Sequence, residues 1–591
     1  MNFDNSTFQH MFKSKIYILF SAVFILIATT VSAQEKDDLG TEVVNIVKPY
    51  TPTISDAFKV KETPILNDSV TLQKQPVTYS IFSVPVASTF TPAKGKATTV
   101  EKAKPIKGYD NYATLGFGNY TTILGELSSN FDISRTDNAG FYLRHNSSQG
   151  DIDGIRAENK YYDTQLDGNY TSRQKGATYR VTAGGEHQLF NWYGLPEGYN
   201  SVPDGVIADL DLQQTYFGGY LGGSIAIDDS FFDLFSAKVR YLGDSFSSQE
   251  VNVTAKPEFS FPIGDLSFEF DGELDYLSGS FDRRYDSDRG INYSLVNVGV
   301  LPALTFINND LTVALGVGIF AQLDTQNSEN DFFIYPNLKA SYRLVDELLI
   351  AYGGVEGDLK QNSFYKFKQE NPFVSPTLFI QPTRQQYNGF GGFKGKLSNS
   401  IGYNFRASYG KEENKALLKA NDYKGRIGEY EGYERGNSFN VVYDDVNTLA
   451  IFGELKVEVN DILTLGVNGT YYSYDVTNEA EPWNLPDLEA SLFSNFNITP
   501  KLYGSASFFY KGERTDELIN RDPLVTAVPT NTRVTLDGYL DANVQLGYRI
   551  TERFSVFAKG NNLLSDNYQK WVNYPVQGIQ ALLGATYKFD W

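Results

Sequence analysis

The sequence of 591 residues contains no cysteine. That absence excludes disulfides, thiolate metal sites, cysteine nucleophiles and a lipid-anchored N-terminal cysteine. Histidine occurs three times, and His10 lies in a leader, so only His145 and His187 remain for imidazole-based metal or acid–base chemistry. Positive charge is scarce as well: 51 Lys and Arg stand against 71 Asp and Glu, a net charge of −20, which leaves no basic surface for nucleic acid. Outside the first thirty residues there is no apolar run of the roughly 20 residues that a membrane-spanning helix needs. Nucleophile elbows, zinc motifs, phosphate loops and dinucleotide fingerprints are missing in any credible context. We therefore expect no catalytic residue, no cofactor, no resident metal and no enzymatic activity.

What is present is aromatic and small: 40 Tyr, 42 Phe and 51 Gly, with a mean hydropathy of −0.32. A chain rich in aromatics yet mildly hydrophilic fits a membrane barrel, in which only alternate residues face lipid. The beginning of the chain agrees with export. Lys13 and Lys15 precede the apolar stretch from Ile16 to Ala28, and small residues lead to Ala33 and Gln34. Positive, apolar, then small is the layout of a signal peptide over residues 1–33, cut between Ala33 and Gln34. Residues 34–108 carry Pro49, Pro52, Pro64, Pro76, Pro85, Pro92 and Pro105. Repeated proline blocks both helix and central strand, so this region is expected as an extended periplasmic segment. Its end is basic, with Lys94, Lys96, Lys102, Lys104 and Lys107. Two readings stay open there: a solvated linker, or a basic tail held in or under an acidic lumen.

From residue 109 to 591 one pattern repeats. In the clearest case Leu449, Ile451, Gly453, Leu455, Val457 and Val459 alternate with Ala450, Phe452, Glu454, Lys456 and Glu458. Period-two alternation sends the two sets to opposite faces of a sheet. The same holds from Leu540 to Ile550 and from Ile579 to Trp591. Very short polar turns are expected at 135–140, 173–176, 228–230, 264–265, 308–310, 346–347, 399–400, 460–461, 499–501 and 551–552. Generally longer connections lie between them, the largest at 194–208, 280–291, 361–385, 420–447 and 515–534. Tight turns at one end and long loops at the other is the asymmetry of outer-membrane barrels. Ten tight turns, with both termini on one side, predict an all-β, transmembrane, antiparallel up-and-down barrel of about 22 strands. The long loops are expected outside the cell, and the first hairpin is expected to turn at Tyr120-Thr121-Thr122. A barrel of this width needs a filling, for which the candidates are the N-terminal segment, inward-folded loops or a partner.

The last hairpin carries a more specific signal. Gly560-Asn561-Asn562-Leu563-Leu564-Ser565-Asp566-Asn567-Tyr568, then Tyr574-Pro575, Gly578 and the closing Tyr587-Lys588-Phe589, resembles the C-terminal pattern of TonB-dependent receptors. The resemblance implies a 22-strand barrel and ligand uptake across the outer membrane. Separately, the aromatic end of the closing strand, Tyr587, Phe589 and the terminal Trp591, resembles the signal read by outer-membrane barrel-assembly machinery, with interfacial girdle residues as the alternative. Thr41 followed by Glu42, Val43, Val44, Asn45, Ile46 and Val47 is similar to that family's TonB box, a strand donated to the inner-membrane energy coupler. The family carries a folded N-terminal plug of well over a hundred residues, and residues 34–108 offer no such plug.

Two functional expectations follow. A TonB-dependent-receptor-like transporter would meet outer-membrane lipid, a TonB-type energy coupler and a surface lipoprotein. A non-transporting subunit of a secretion or assembly complex would instead meet another outer-membrane barrel. Two acidic runs, Asp151-Ile152-Asp153-Gly154 and Asp286-Ser287-Asp288-Arg289-Gly290, supply only part of a calcium loop and are read as solvated turns. The loop aromatics Trp192, Tyr193 and Tyr199 are read as packing residues, with stacking on a planar ligand as the alternative.

Overall fold

A computed structural model describes residues 108–591, apart from 426–429, 461, 522–529, 565–566 and 591. The expected signal peptide with its Ala33–Gln34 junction, the Glu42–Val47 strand, the lysine-rich stretch and Trp591 all lie outside the described residues.

Twenty-two antiparallel strands form one sheet, and the sheet closes on itself. The first strand, Asn111–Gly118, pairs on one side with Thr122–Asp132 and on the other with the last strand, Gln580–Phe589. The closing register runs from Asn111 opposite Phe589 to Gly118 opposite Leu582. Closure leaves no edge whose backbone groups would lie unpaired in lipid.

All ten tight turns occur where the alternation breaks. Several of them use left-handed backbone, at residues that tolerate it: Gly176 (φ 80°), Asp229 (φ 52°), Gly264 (φ 62°), Asn309 (φ 39°) and Asp346 (φ 37°). At the opposite end the longest connections span 192–212, 361–382, 421–438, 512–538 and 562–579, with shorter ones at 149–160, 282–290 and 477–487. The first hairpin is an exception on that side. It turns within three residues, using Tyr120 (φ 55°) and Thr121 (φ 50°).

The outward face is apolar and open. Leu583 is 69 % exposed, Leu221 60 % and Ile451 51 %. Phe231, Phe259, Phe261, Phe268 and Phe270 pack against one another near the tight-turn end. An apolar band with an aromatic border is what a bilayer selects, and this is a transmembrane barrel.

The wall is uneven in height. Strands Ile401–Ala420 and Phe439–Asn460 have 20 and 22 residues, whereas Asn111–Gly118 and Phe554–Asn561 have 8 each. One loop expectation is corrected here. The connection expected at 420–447 ends at Ser438, because Phe439–Asn460 already begins at Phe439. A register shift places an extra residue between Glu412 and Lys415 of the paired strand, where Asn414 takes left-handed backbone (φ 51°). Above it Phe439 and Val441 are buried in the core across the mouth, while lower down Leu449 and Ile451 face out. That reversal breaks the alternation that marks the rest of the strand.

Candidate functional site: the capped mouth and the acidic floor

The connection 361–382 does not project outward. It folds into the mouth, where Ser363 caps a short helix, Phe364–Glu370, by accepting from the Lys366 N–H at 3.1 Å. Phe364 is fully buried, edge-on to Phe281 (5.0 Å between centroids) and to Tyr216 (5.9 Å). The Glu250 carboxylate reaches up from the wall. It accepts from Phe364 N–H at 2.7 Å, from Tyr365 N–H at 3.0 Å and from the Tyr293 hydroxyl at 2.8 Å. On the other flank the Lys368 ammonium is buried, 2.7 Å from Glu186 Oε1 and 2.6 Å from Gln188 Oε1. Charge-assisted bonds at both ends thus fasten the loop to the wall.

Loops far apart in sequence meet on this one. Phe373 stacks on Tyr574 at 3.9 Å, and Tyr193 meets the Tyr574 ring edge-on at 4.8 Å. Trp192 Nε1 donates to the Phe373 carbonyl at 3.1 Å, and Asn437 Nδ2 donates to the Trp192 carbonyl at 2.7 Å. The Tyr574 hydroxyl donates to the Asn437 carbonyl. Tyr216, Leu242, Leu277, Phe281, Phe439 and Trp571 complete one apolar core across the mouth. Beside it a hairpin of Arg514–Asn520 and Thr530–Leu536 carries Asp516, whose fully buried carboxylate accepts from Ala420 N–H (3.0 Å) and Asn484 Nδ2 (2.8 Å). Burial pushes the Asp516 carboxyl up to about 6. Burial, then the charges of Lys511 and Arg514, bring the Lys570 ammonium down to about 8.

Below this cap the lumen changes character. In the strand Leu266–Phe281, odd-numbered residues face inward, because Leu277 and Phe281 pack under the loop. The same face further down reads Asp275, Glu273, Asp271 and Glu269. Lys256 neutralises Glu273 at 2.7 Å, and Asn252 donates to Asp275 at 2.6 Å. Glu258 sits directly opposite Asp271 on the neighbouring strand, with Asp233 and Glu269 as electrostatic neighbours.

The residues singled out in the sequence are placed as follows. Tyr587 faces outward, 47 % exposed and stacked on Phe589 at 6.1 Å, on the strand that closes the barrel. His145 and His187 lie directly opposite Thr164 from its two sides, on the outward face. Neither can act on anything in the lumen. Trp192, Tyr193 and Tyr199 pack within the loops: Trp192 lies against Phe246 and Tyr433, Tyr193 against Phe373, and Tyr199 against Tyr423. Asp288 pairs with Arg283 at 3.0 Å. The C-terminal pattern has structural work. Asn562 Nδ2 donates to the Gln577 carbonyl at 2.8 Å, and Tyr568 stacks on Tyr539 at 3.8 Å while its hydroxyl donates to Asp541 at 2.8 Å. Sequence reasoning missed Glu250, Phe364 and Lys368. The available signal was the apolar content of 361–385, with Phe364, Phe367, Phe373, Val374, Leu378 and Ile380 in a supposed surface loop.

Neither a protein-family model nor a curated protein sequence matches the chain. Solved structures do match. The ferric-catecholate import receptor Fiu from E. coli K12, in its closed form, aligns at a TM-score of 0.57 with 11% identity, covering 82% of each chain. The Pseudomonas aeruginosa receptor FpvA bound to heterologous pyoverdines aligns at 0.60 with 12% identity, covering 81% of this chain and 72% of that one. The siderophore receptor PiuA from Acinetobacter baumannii aligns at 0.57 with 10% identity and 82% of each chain. The fold is thus the closed 22-strand barrel of outer-membrane siderophore receptors.

Proposed function

We propose that this protein is an outer-membrane barrel of the TonB-dependent-receptor type that takes up a ligand, with its long-loop mouth toward the outside. The observation that carries the reading is the 22-strand barrel, together with an alignment to siderophore receptors over about four-fifths of the chain. In this reading the Glu42–Val47 strand engages a TonB-type coupler, residues 1–33 are removed on export, and the aromatic end with Tyr587, Phe589 and Trp591 addresses the assembly machinery. Because the neighbouring proteins handle siderophores and the identity to them is low, the ligand is a matter for experiment.

One observation favours a second reading, a barrel subunit of a secretion or assembly machine. The mouth is already filled by its own loops, whose aromatic side chains are spent on one another. Purification in mild detergent from native membranes, followed by mass spectrometry, tests both. Recovery of an energy-coupling protein, lost on deletion of Thr41 to Val47, is expected for uptake. Stoichiometric recovery of a second barrel with periplasmic lipoproteins, unaffected by that deletion, overturns uptake in favour of the machine subunit.

A further inference from the structure

Among the described residues, neither the Lys570 ammonium nor the Arg514 guanidinium has a carboxylate within ion-pair distance. Lys570 lies in the 562–579 connection and is partly buried. Its electrostatic neighbours are two cations, Lys511 and Arg514, and one acid, Glu370. Arg514 is only 3 % exposed. Its terminal nitrogens are used on main chain: Nη1 donates to the Lys570 carbonyl, and Nη2 to the Gln569 carbonyl at 2.9 Å. The guanidinium also lies over the Tyr539 ring, 5.3 Å from its centroid, and Tyr539 stacks on Tyr568. These contacts fix the group beside Lys570, yet its Nε–H is buried without an acceptor. Buried donors are almost always satisfied, so an open one marks a place where an acceptor belongs.

The acids nearby do not supply that acceptor. Glu489 pairs with Lys511 at 3.4 Å, directly across the strand pair. Asp516 accepts from Ala420 N–H and Asn484, and Asp541 from the Tyr568 hydroxyl. Glu370, the last residue of the cap helix, is exposed, and among the described residues no cation reaches it within ion-pair distance. Lys415, also near it, is taken up by Glu412. Three cations therefore converge at the end of the cap helix without a counter-ion of their own. Their mutual repulsion acts on Lys570, whose ammonium is brought down to about 8 by burial and then by Lys511 and Arg514.

We propose that Lys511, Arg514 and Lys570 bind a compact oxyanion, a carboxylate or a tetrahedral phosphate or sulfate group, in the mouth beside the cap. Arg514 supplies a directed Nε–H, and the two ammonium groups supply charge that can turn toward oxygen. Binding stands under either functional reading. That the ligand taken up carries such a group rests on the uptake reading, and the experiment below reads binding alone.

Only the neutral amine acylates, so the lowered pKa of Lys570 makes the site readable. Full-length protein in mild detergent is treated with trace acetic anhydride at neutral pH, and each lysine is followed by mass spectrometry. Sodium sulfate, titrated against sodium chloride at constant ionic strength, is expected to slow acetylation of Lys570 saturably and several-fold, because a bound anion holds the proton on the ammonium. Lys175, exposed in a tight turn, should not respond. Citrate in place of sulfate separates a carboxylate-bearing ligand from a bare tetrahedral anion, and protection by either supports the proposal. Arg514→Gln and, separately, Lys511→Gln should abolish the protection; Lys511 stands on a wall strand, so its variant serves should loss of the buried Arg514 unfold the hairpin. Acetylation of Lys570 that is equal in sulfate, citrate and chloride overturns the proposal. So does protection undiminished in Lys511→Gln, or a Lys570 that acetylates under no condition, since a sealed site admits no anion.

Discussion

A single strand, Leu266–Phe281, spans two environments on its inward face. At the top, Leu277 and Phe281 are sealed under an apolar cap; at the bottom, Glu269 and Asp271 gather with Glu258, and among the described residues no cation pairs with them. The upper lumen is thus finished by residues the structure describes. Glu250, Lys368 and Asn437, which hold the cap there, all have hydrogen-bond partners. The lower lumen has the opposite character, an excess of one charge. The difference teaches that closing a wide barrel is a local matter. Apolar area and satisfied hydrogen bonds close one end, while the other end is left with an electrostatic demand that something else must meet.

Removing the cap is the severest way to break this comparison. Replacing residues 363–381 by a short Gly/Ser linker should leave a folded barrel whose conductance in planar bilayers rises from near zero to that of a wide pore, unless the floor closes the lumen alone. A milder variant, Phe364→Ala, removes a fully buried ring between Tyr216 and Phe281. The expected cost is about 3–5 kcal/mol of local stability, read as lost hydrogen-exchange protection in the 361–382 loop while barrel strands stay protected.

Acidity sharpens the comparison at the cap. Asp516 has its carboxyl raised to about 6, so the folded hairpin binds a proton more readily than the unfolded chain does. For an acid shifted upward, stability is highest below the unfolded value near 4 and falls as pH rises through about 6. The 514–536 hairpin should accordingly resist proteolysis better at pH 4 than at pH 7, by at most about 3 kcal/mol, and Asp516→Asn should flatten the profile. The smallest effect is at the floor. Glu258→Gln relieves one like-charge pair and should stabilise a chain lacking residues 34–107 by about 0.2–1 kcal/mol in thermal unfolding.

Much of the barrel was legible from residues alone. Turns such as Gly264-Asp265 and Asn308-Asn309-Asp310 interrupt the alternation with residues that accept left-handed backbone, and every tight turn read this way is a turn in the structure. Strand count and closure follow from those turns. The start of the strand at Phe439 was hidden, because burial changes parity between Val441 and Asp444, where the loops over the mouth cover the strand. The cap was hidden for a different reason. Phe364, Phe373, Trp192 and Tyr574 belong to three loops hundreds of residues apart, and no local pattern reveals that they share one core. Lipid selects one face of every strand and so imprints a period, whereas loop-on-loop packing imprints none.

Tyr574 has one more implication. It lies between the last two barrel strands, Phe554–Asn561 and Gln580–Phe589, yet it stacks on Phe373 and bonds to Asn437 near the middle of the chain. A chain still missing its final thirty residues has neither its seam nor that keystone. Sealing of the mouth and joining of the seam therefore both wait for the same C-terminal segment, so a product truncated before it lacks both at once.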